Sequence, residues 1–148
     1  MFDYYIVLGG SLDPYQYLQN TIAMIQKVFH VVDQSKFYVG PSEDPEIHDS
    51  FMNVALHLMS SKCIDEINLG LKEIEMRQLN QGCKIVDIDL IIQMKGDQVL
   101  YQSSKIKYCH SLITLKDVFL SECQLRSLIM EKYNANPSAH LFLPFRID

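Results

Sequence analysis

An α+β fold is predicted from the order of strand and helix patterns along the chain. Apolar runs typical of strands alternate with two amphipathic helices in the order strand, helix, strand, strand, helix, strand. That split βαβ order predicts a ferredoxin-like, antiparallel or mixed sheet with helices packed on one face. The 148 residues, 48% of them hydrophobic, suffice for one core, so we expect a single domain over residues 1–148.

The first third of the chain predicts a strand, a helix and a second strand. Residues 4–8 are an apolar run, after which Asp13 and Pro14 provide a helix N-cap and a first-turn proline. A second strand is predicted over about residues 30–38, and a polar loop with two prolines follows over residues 40–46. The predicted helix has one apolar stripe: Leu18, Ile22, Ile25 and Phe29.

The third predicted strand, over residues 51–59, has two chemically different faces. One face is apolar and would meet the helices: Met52, Val54, Leu56 and Leu58. The other face carries Phe51, Asn53, Ala55 and His57. An aromatic ring beside an amide that both donates and accepts suits the edge of a heteroaromatic ring, although an ordinary half-buried strand face explains the same residues.

A second amphipathic helix is predicted over residues 61–79. Its apolar stripe is Ile64, Ile67, Leu71 and Ile74. A polar link over residues 80–83 leads into a buried strand over residues 84–92. The remaining predicted elements are a turn at residues 95–97, a hairpin strand at 99–101, an extended basic stretch at 105–110, helices at 115–120 and 124–133, and a final strand or docked tail at 141–143.

Two carboxylates interrupt the buried strand predicted over residues 84–92. Because strand side chains alternate, Asp87 and Asp89 lie on one face and their apolar neighbours on the other. Two adjacent acids repel each other and are costly to desolvate, and a divalent cation between them removes both penalties. The alternative is a solvent-facing strand edge with two solubilising acids, which is the more frequent explanation of an isolated D-x-D motif.

Three further groups could contact phosphate, and each also has a simpler explanation. The sequence GGS at residues 9–11 could cradle a phosphate, but a tight turn also explains it. His110 lies within a run of lysines at residues 105–116, which predicts either polyphosphate binding or a solvated basic loop. Arg77, at the end of the second helix, could reach a phosphate or face solvent.

Composition argues against several functional classes. A formal net charge of −5 disfavours a nucleic-acid-binding surface but allows a local basic pocket for a small anion. The N-terminus lacks a basic signal-peptide region, and no apolar run reaches transmembrane length. We expect a cytoplasmic, monomeric protein without nucleic-acid or membrane partners. Its four cysteines are expected to be free thiols: Cys63, Cys83, Cys109 and Cys123.

Several stretches, in this order, resemble one enzyme family. LGGSL at residues 8–12 resembles an L-G-S-N-L-G turn, and FMNVA at 51–55 resembles an [FY]-L-N-x-[AV] strand. KIVDIDLI at 84–91 resembles the most specific signature, R-T-[IL]-D-[IL]-D-[IL]-[IL], and CHSLITLKDVFL at 109–120 resembles P-H-P-x-x-x-x-R-x-F-[VM]-L. These are motifs of the 6-hydroxymethyl-7,8-dihydropterin pyrophosphokinases of folate biosynthesis.

This resemblance implies an ATP-dependent transfer to hydroxymethyl-dihydropterin, with two Mg²⁺ ions and with ATP as co-substrate. It implies that the catalytic residues are Asp87, Asp89 and His110, and that both aspartates bind the metal. The implied ATP-binding residues are Lys84, Lys105, His110 and Lys116, to which Arg77 is added from its place at the end of the second helix. The implied pterin-binding residues are Gly40, Pro41, Phe51, Asn53 and Phe119.

The chain departs from the family pattern just before the two aspartates. The family has a longer, Arg-rich loop that ends R-W-G-P-R and closes over ATP, whereas residues 77–84 here are RQLNQGCK, and the chain has no tryptophan. Several arginine positions hold lysine, which keeps the charge but not the bidentate geometry. The alternative function is therefore a non-catalytic pterin- or nucleotide-binding relative without the ATP lid; a third is a structural interaction module.

Overall fold

The computed structural model describes residues 1–41, 50–119 and 124–146. Two 3₁₀ helices, Ser104–Lys107 and Pro137–Leu141, accompany the strands and α-helices. The strands and α-helices are β1 (Phe2–Gly10), α1 (Pro14–Val28), β2 (His30–Gln34), β3 (Tyr38–Pro41), β4 (Ser50–Ser60), α2 (Ile64–Met76), β5 (Leu79–Asn80), β6 (Cys83–Lys84), β7 (Asp87–Lys95), β8 (Gln98–Gln102), α3 (Cys109–Val118), α4 (Gln124–Ala135) and β9 (Leu143–Pro144).

Seven of these strands form one antiparallel sheet in the order β8-β7-β1-β4-β3-β9, and β2 also pairs with β4. The short strands β5 and β6 form a separate two-stranded ribbon. The first strand of the chain thus lies at the centre, between β4 and β7. Its two long neighbours are the strands that carry Asn53 and the aspartate pair.

The helices α1 and α2 pack against one face of this sheet, as the apolar stripes predicted. Their buried residues meet alternate side chains of β1, β4 and β7, and burying each large aliphatic side chain contributes about 1.5–3 kcal/mol. The helix residues in this core include Leu18, Ile22, Ile25, Phe29, Ile67, Leu71 and Ile74. The predicted α+β fold, with an antiparallel sheet and this helix pair on one face, is confirmed.

The C-terminal helices form a second core with the remaining residues of the sheet. Tyr5 and Val7 of β1 pack with Leu112 and Leu115 of α3 and with Ile129 of α4. This core covers only part of the sheet face. Beside this second core, the end of β1 at Gly9 borders a cleft.

The strand predicted over residues 30–38 is divided into β2 and β3 by Ser35. The Ser35 hydroxyl accepts a hydrogen bond from the backbone N–H of Ala55, at 2.8 Å, and donates to the carbonyl of Lys36, at 2.7 Å. The N–H of Ala55 therefore bonds to the Ser35 side chain instead of to a backbone carbonyl of the neighbouring strand. Both resulting strands still pair with β4.

The predicted strand over residues 84–92 begins later, at Asp87. Residues 83–84 instead pair back with residues 79–80, so the predicted polar link is a hairpin. Its two turn residues, Gln81 and Gly82, have positive φ values of 52° and 80°. Such a pair of left-handed residues is typical of a type I′ hairpin turn.

The basic stretch predicted to be extended over residues 105–110 is helical instead. The Ser103 hydroxyl accepts a hydrogen bond from the N–H of Lys105 and starts a 3₁₀ helix, and α3 begins at Cys109 rather than at residue 115. The hairpin strand β8 and helix α4 occur where they were predicted. The final strand is present as β9, two residues beyond the predicted start.

No disulfide links the described cysteines, which are Cys63, Cys83 and Cys109, as predicted. Cys123, Leu120 and residues 42–46 of the predicted polar loop lie outside the described residues. In the part of the chain that the structure describes, no helix combines the length and the apolarity needed to cross a membrane.

Candidate active site

One row of residues across three neighbouring strands is the foundation of the site. The strand register pairs Gly9 of β1 with Asn53 of β4 on one side and with Asp87 of β7 on the other. Two residues along β1, Val7 is paired with Asp89 in the same way. Paired strand residues point to the same face, so these positions form a continuous surface.

A cleft of about 210 Å³ lies over this surface. Its far side comes from the segment between β8 and α3 and from the first turn of α3. Its lining residues are Val7, Gly9, Pro41, Phe51, Asn53, Asp87, Asp89, Lys105, Tyr108 and His110. The structure therefore brings together the predicted metal ligands, two of the predicted phosphate-binding residues and three of the predicted pterin-binding residues.

The two aspartates lie close to other negative charge. Desolvation in the cleft, followed by the charges of Glu75 and Asp89, raises the pKa of Asp87. Asp89 has a counter-ion, because its Oδ1 lies 2.8 Å from the ammonium of Lys105. This hydrogen bond also raises the pKa of Lys105. A cation is thus favoured beside both carboxylates.

Glu75 holds the aspartate strand against α2. Its side chain is 1% exposed, and its carboxylate accepts hydrogen bonds from the N–H of Ile88, at 2.9 Å, and from Lys72, at 3.0 Å. Lys84 approaches the other oxygen to 2.5 Å. Burial opposes ionisation, but the bonds from Lys84, Ile88 and Lys72 outweigh it and lower the pKa of Glu75. Ile88 lies between the two aspartates, so this contact fixes the strand at the site.

The sequence analysis did not identify Glu75. A signal was present, because Glu75 lies four residues after Leu71 of the apolar stripe and is thus on the buried side of the helix. A carboxylate at such a position predicts a buried partner. The register with Gly9, in contrast, could not be found from local patterns.

Asn53 and the aromatic residues form the other half of the cleft. Asn53 is 5% exposed, with Gly9 on one neighbouring strand and Tyr38 on the other. Phe51 lies two residues before it on the same face, and Tyr108, which the sequence analysis did not identify, contributes a second ring to the lining. A nearly buried amide in a cleft that aromatic rings also line can bind a flat ring that carries its own donors and acceptors.

Five of the predicted ligand-binding residues are not part of this lining. Lys84 contacts Glu75 because the β5–β6 hairpin turns it toward α2, and Arg77 lies on a separate surface depression with Leu69. The ammonium of Lys116 lies 4.8 Å from the ring centroid of Tyr133.

The other two are pterin-binding predictions. Phe119 is 1% exposed and stacks on Tyr5 in the second core, at 4.0 Å between ring centroids, so the structure does not support its role as a wall of the cleft. Gly40 faces Phe142, whose ring occupies the space that a Cβ would need.

The aspartate pair is the candidate metal site. No cluster of three or more metal-ligating side chains is found among residues 1–41, 50–119 and 124–146. Two carboxylates on a rigid strand nevertheless fit Mg²⁺, which commonly keeps several waters and shares its remaining positions with substrate phosphates. The donor set is therefore suited to a metal that arrives with a polyphosphate.

No protein-family model matches the chain, and no curated protein matches it. The resemblance to the pyrophosphokinases stays a prediction from the motifs, and any function proposed for the cleft depends on its own residues.

Proposed function

We propose that the protein transfers a pyrophosphoryl group from ATP to the hydroxymethyl oxygen of 6-hydroxymethyl-7,8-dihydropterin, with Mg²⁺ as cofactor and AMP as the second product. The observation that supports this most is the convergence of Asn53, Asp87, Asp89 and His110 on one cleft. These residues come from three different segments of the chain, β4, β7 and α3, and the motif resemblance implies a role for each of them. We also propose that the protein is monomeric and cytoplasmic and that it has no nucleic-acid or membrane partners.

In this proposal the pterin ring lies at the Asn53 end of the cleft. The carboxamide of Asn53 would donate to and accept from the polar edge of the ring, with Phe51 and Tyr108 beside it. Because Asn53 is almost fully buried, a ring without matching polar atoms would leave this amide unpaired. Sites of this kind discriminate strongly against analogues that lack the hydrogen-bonding groups.

The phosphates of ATP would lie between the aspartates and the basic residues opposite them. Asp87 and Asp89 would hold Mg²⁺, which when bound neutralises phosphate charge and favours ionisation of the attacking hydroxyl. Lys105 and His110 would contact the phosphates from the other side of the cleft.

The reaction proceeds by in-line displacement at the β-phosphorus. The hydroxymethyl oxygen bonds to this phosphorus while the bond from it to the bridging α–β oxygen breaks, so AMP leaves with that oxygen. The hydroxyl proton passes to solvent. The contribution of the protein is alignment and charge neutralisation, which account for most of the catalysis in such transfers.

The direct test measures AMP formation from ATP and Mg²⁺ with and without the hydroxymethyl-dihydropterin. We expect AMP only when the pterin is present. The variant Asp89→Ala should lose turnover while keeping its melting temperature, because Asp89 is at the cleft and not in a core. A matched control is Asp97→Ala, which removes an exposed carboxylate from the turn after the same strand. Full activity in Asp89→Ala would refute the proposal.

A specific observation also favours a non-catalytic binding protein. Arg77 and Lys84 lie outside the cleft lining, and the short β5–β6 hairpin stands where the family has its ATP-closing loop. Such a protein would bind the pterin without forming AMP. Binding of neither the pterin nor an Mg²⁺–ATP analogue would instead indicate a structural module.

A further inference from the structure

Gly9 is a glycine for reasons of space rather than of backbone conformation. Among the described glycines, positive φ values occur at Gly82 and Gly96, and Gly9 lies within the extended strand β1. The tight turn predicted for the sequence GGS is therefore wrong for this residue. A Cβ built on Gly9 would lie 2.5 Å from Oδ1 of Asn53, far inside contact distance.

A Cβ at residue 9 would collide with the end of one side chain, the carboxamide of Asn53. The next nearest atoms to a Cβ there are Cγ of Asn53, at 3.6 Å, and the carbonyl oxygen of Met52, at 3.7 Å, both at ordinary contact distances. The backbone of β4 thus leaves room for a methyl group, but the carboxamide does not. Because Asn53 is only 5% exposed, its amide can yield only by leaving its present position in the cleft.

The neighbouring Gly10 meets a different obstacle. A Cβ there would lie 2.9 Å from the carbonyl oxygen of Ile85, which is backbone. Adjacent strand residues point to opposite faces, so Gly10 allows the chain just before Asp87 to approach β1, whereas Gly9 faces the cleft. The two glycines therefore have separate roles.

We infer that Gly9 determines ligand specificity by setting the position of the Asn53 carboxamide and the depth of the cleft beside it. A bare backbone at this point lets the amide lie over β1 and lets the edge of a flat, amide-like heterocycle reach it. Any side chain at residue 9 would displace the amide and fill that space. The identity of the ligand as a pterin rests on the proposed function, but the steric coupling between Gly9 and Asn53 does not.

A double-mutant cycle measures the steric coupling without any ligand. Melting temperatures are compared for wild type, Gly9→Ala, Asn53→Ala and the double variant. Gly9→Ala should lower the melting temperature by several degrees in the wild-type background. In the Asn53→Ala background the same change should have little effect or should be stabilising, because the clashing atom is gone and alanine restricts the unfolded chain.

Gly70→Ala is the matched control for the cycle. A Cβ on Gly70 would lie 2.7 Å from Cζ of Phe29, in the core on the opposite face of the sheet. This variant introduces a comparable clash at a place that does not contact Asn53. Its effect on the melting temperature should be the same with and without Asn53→Ala.

The binding arm uses 6-hydroxymethylpterin and an Mg²⁺ complex of α,β-methylene-ATP as probes. We expect Gly9→Ala to weaken pterin binding about tenfold or more, the effect of losing one or two hydrogen bonds to a buried amide. Affinity for the nucleotide analogue should stay within about twofold. Gly70→Ala should leave both affinities unchanged.

The outcomes separate this inference from the proposed function. An additive cycle, or pterin binding by Gly9→Ala that equals wild type, would overturn the role of Gly9. If wild type binds no pterin, the proposed function and the pterin as ligand both fail, and the melting temperatures alone decide the coupling. A non-additive cycle together with selective loss of pterin binding would support both.

Discussion

Glu75→Gln should destabilise the protein by about 2 kcal/mol. Glutamine keeps an oxygen for the N–H of Ile88 but loses the charge that pairs with Lys72 and Lys84. Both ammonium groups are about half exposed and stay hydrated, and Lys72 keeps its hydrogen bond to the carbonyl of Ile88, so each lost pair costs about 1 kcal/mol rather than the larger penalty of a buried charge. For a chain of this length the melting temperature should fall by about 4–8 °C.

The dependence of this loss on pH tests its electrostatic origin. The pKa of Glu75 is lowered in the folded state, so its ionised form contributes stability above the unfolded pKa of about 4.3. This contribution is lost as the pH falls through the lower, folded pKa. The difference in melting temperature between wild type and Glu75→Gln should therefore be constant near neutral pH and shrink on acidification.

Thermal unfolding followed by circular dichroism between pH 3 and pH 8 is the appropriate assay. The control is Glu73→Gln, which removes an exposed carboxylate from the same helix and should change the melting temperature little at any pH. Equal melting temperatures for the two variants would refute the reasoning. A loss for Glu75→Gln that is as large at pH 3 as at pH 7 would also refute it.

Two further predictions concern residues on either side of the cleft. Lys105→Met removes the ammonium that pairs with Asp89. Calorimetry should then show about fivefold tighter binding of Mg²⁺ alone and weaker binding of the nucleotide analogue. Unchanged Mg²⁺ affinity would contradict the role of Lys105 as a competing cation. Phe119→Leu should lower the free energy of unfolding, measured by chemical denaturation, by about 1–2 kcal/mol because the Phe119 ring stacks on Tyr5. Pterin affinity should be unchanged. A selective loss of pterin binding would show that Phe119 contacts the ligand.

The sheet faces and the first two helices were predictable because their signals are local. Alternation along β4 placed Asn53 and Leu56 on opposite faces of the strand. The spacing of Ile67 and Leu71 placed α2 against the sheet. The start of α3 was not predictable in this way. Every residue of this helix from Ser111 to Leu115 is buried, so its sequence lacks the one-sided apolar stripe that predicts a surface helix.

The residues of the candidate site differ in the same way, because some could be assigned from local patterns and others could not. Asp87 and Asp89 could be assigned to one face from their spacing alone. The role of Gly9 depends on the register of three strands, and the position of Lys84 depends on a hairpin that points it toward Glu75. Neither of these is determined by neighbours in sequence, so motif resemblance placed Lys84 at the nucleotide and left Gly9 unassigned.

The central position of β1 makes the site a product of long-range contacts. β4 and β7 each pair with β1 and are separated from it by roughly fifty and eighty residues of chain, so loop closure precedes assembly of the cleft. The side chains on the two outer strands of this trio meet only when both pairings are complete. A ligand that bridges Asn53 and Asp87 would therefore bind only to the fully assembled sheet, and it would raise the global stability of the fold by RT ln(1 + L/Kd), where L is the free ligand concentration.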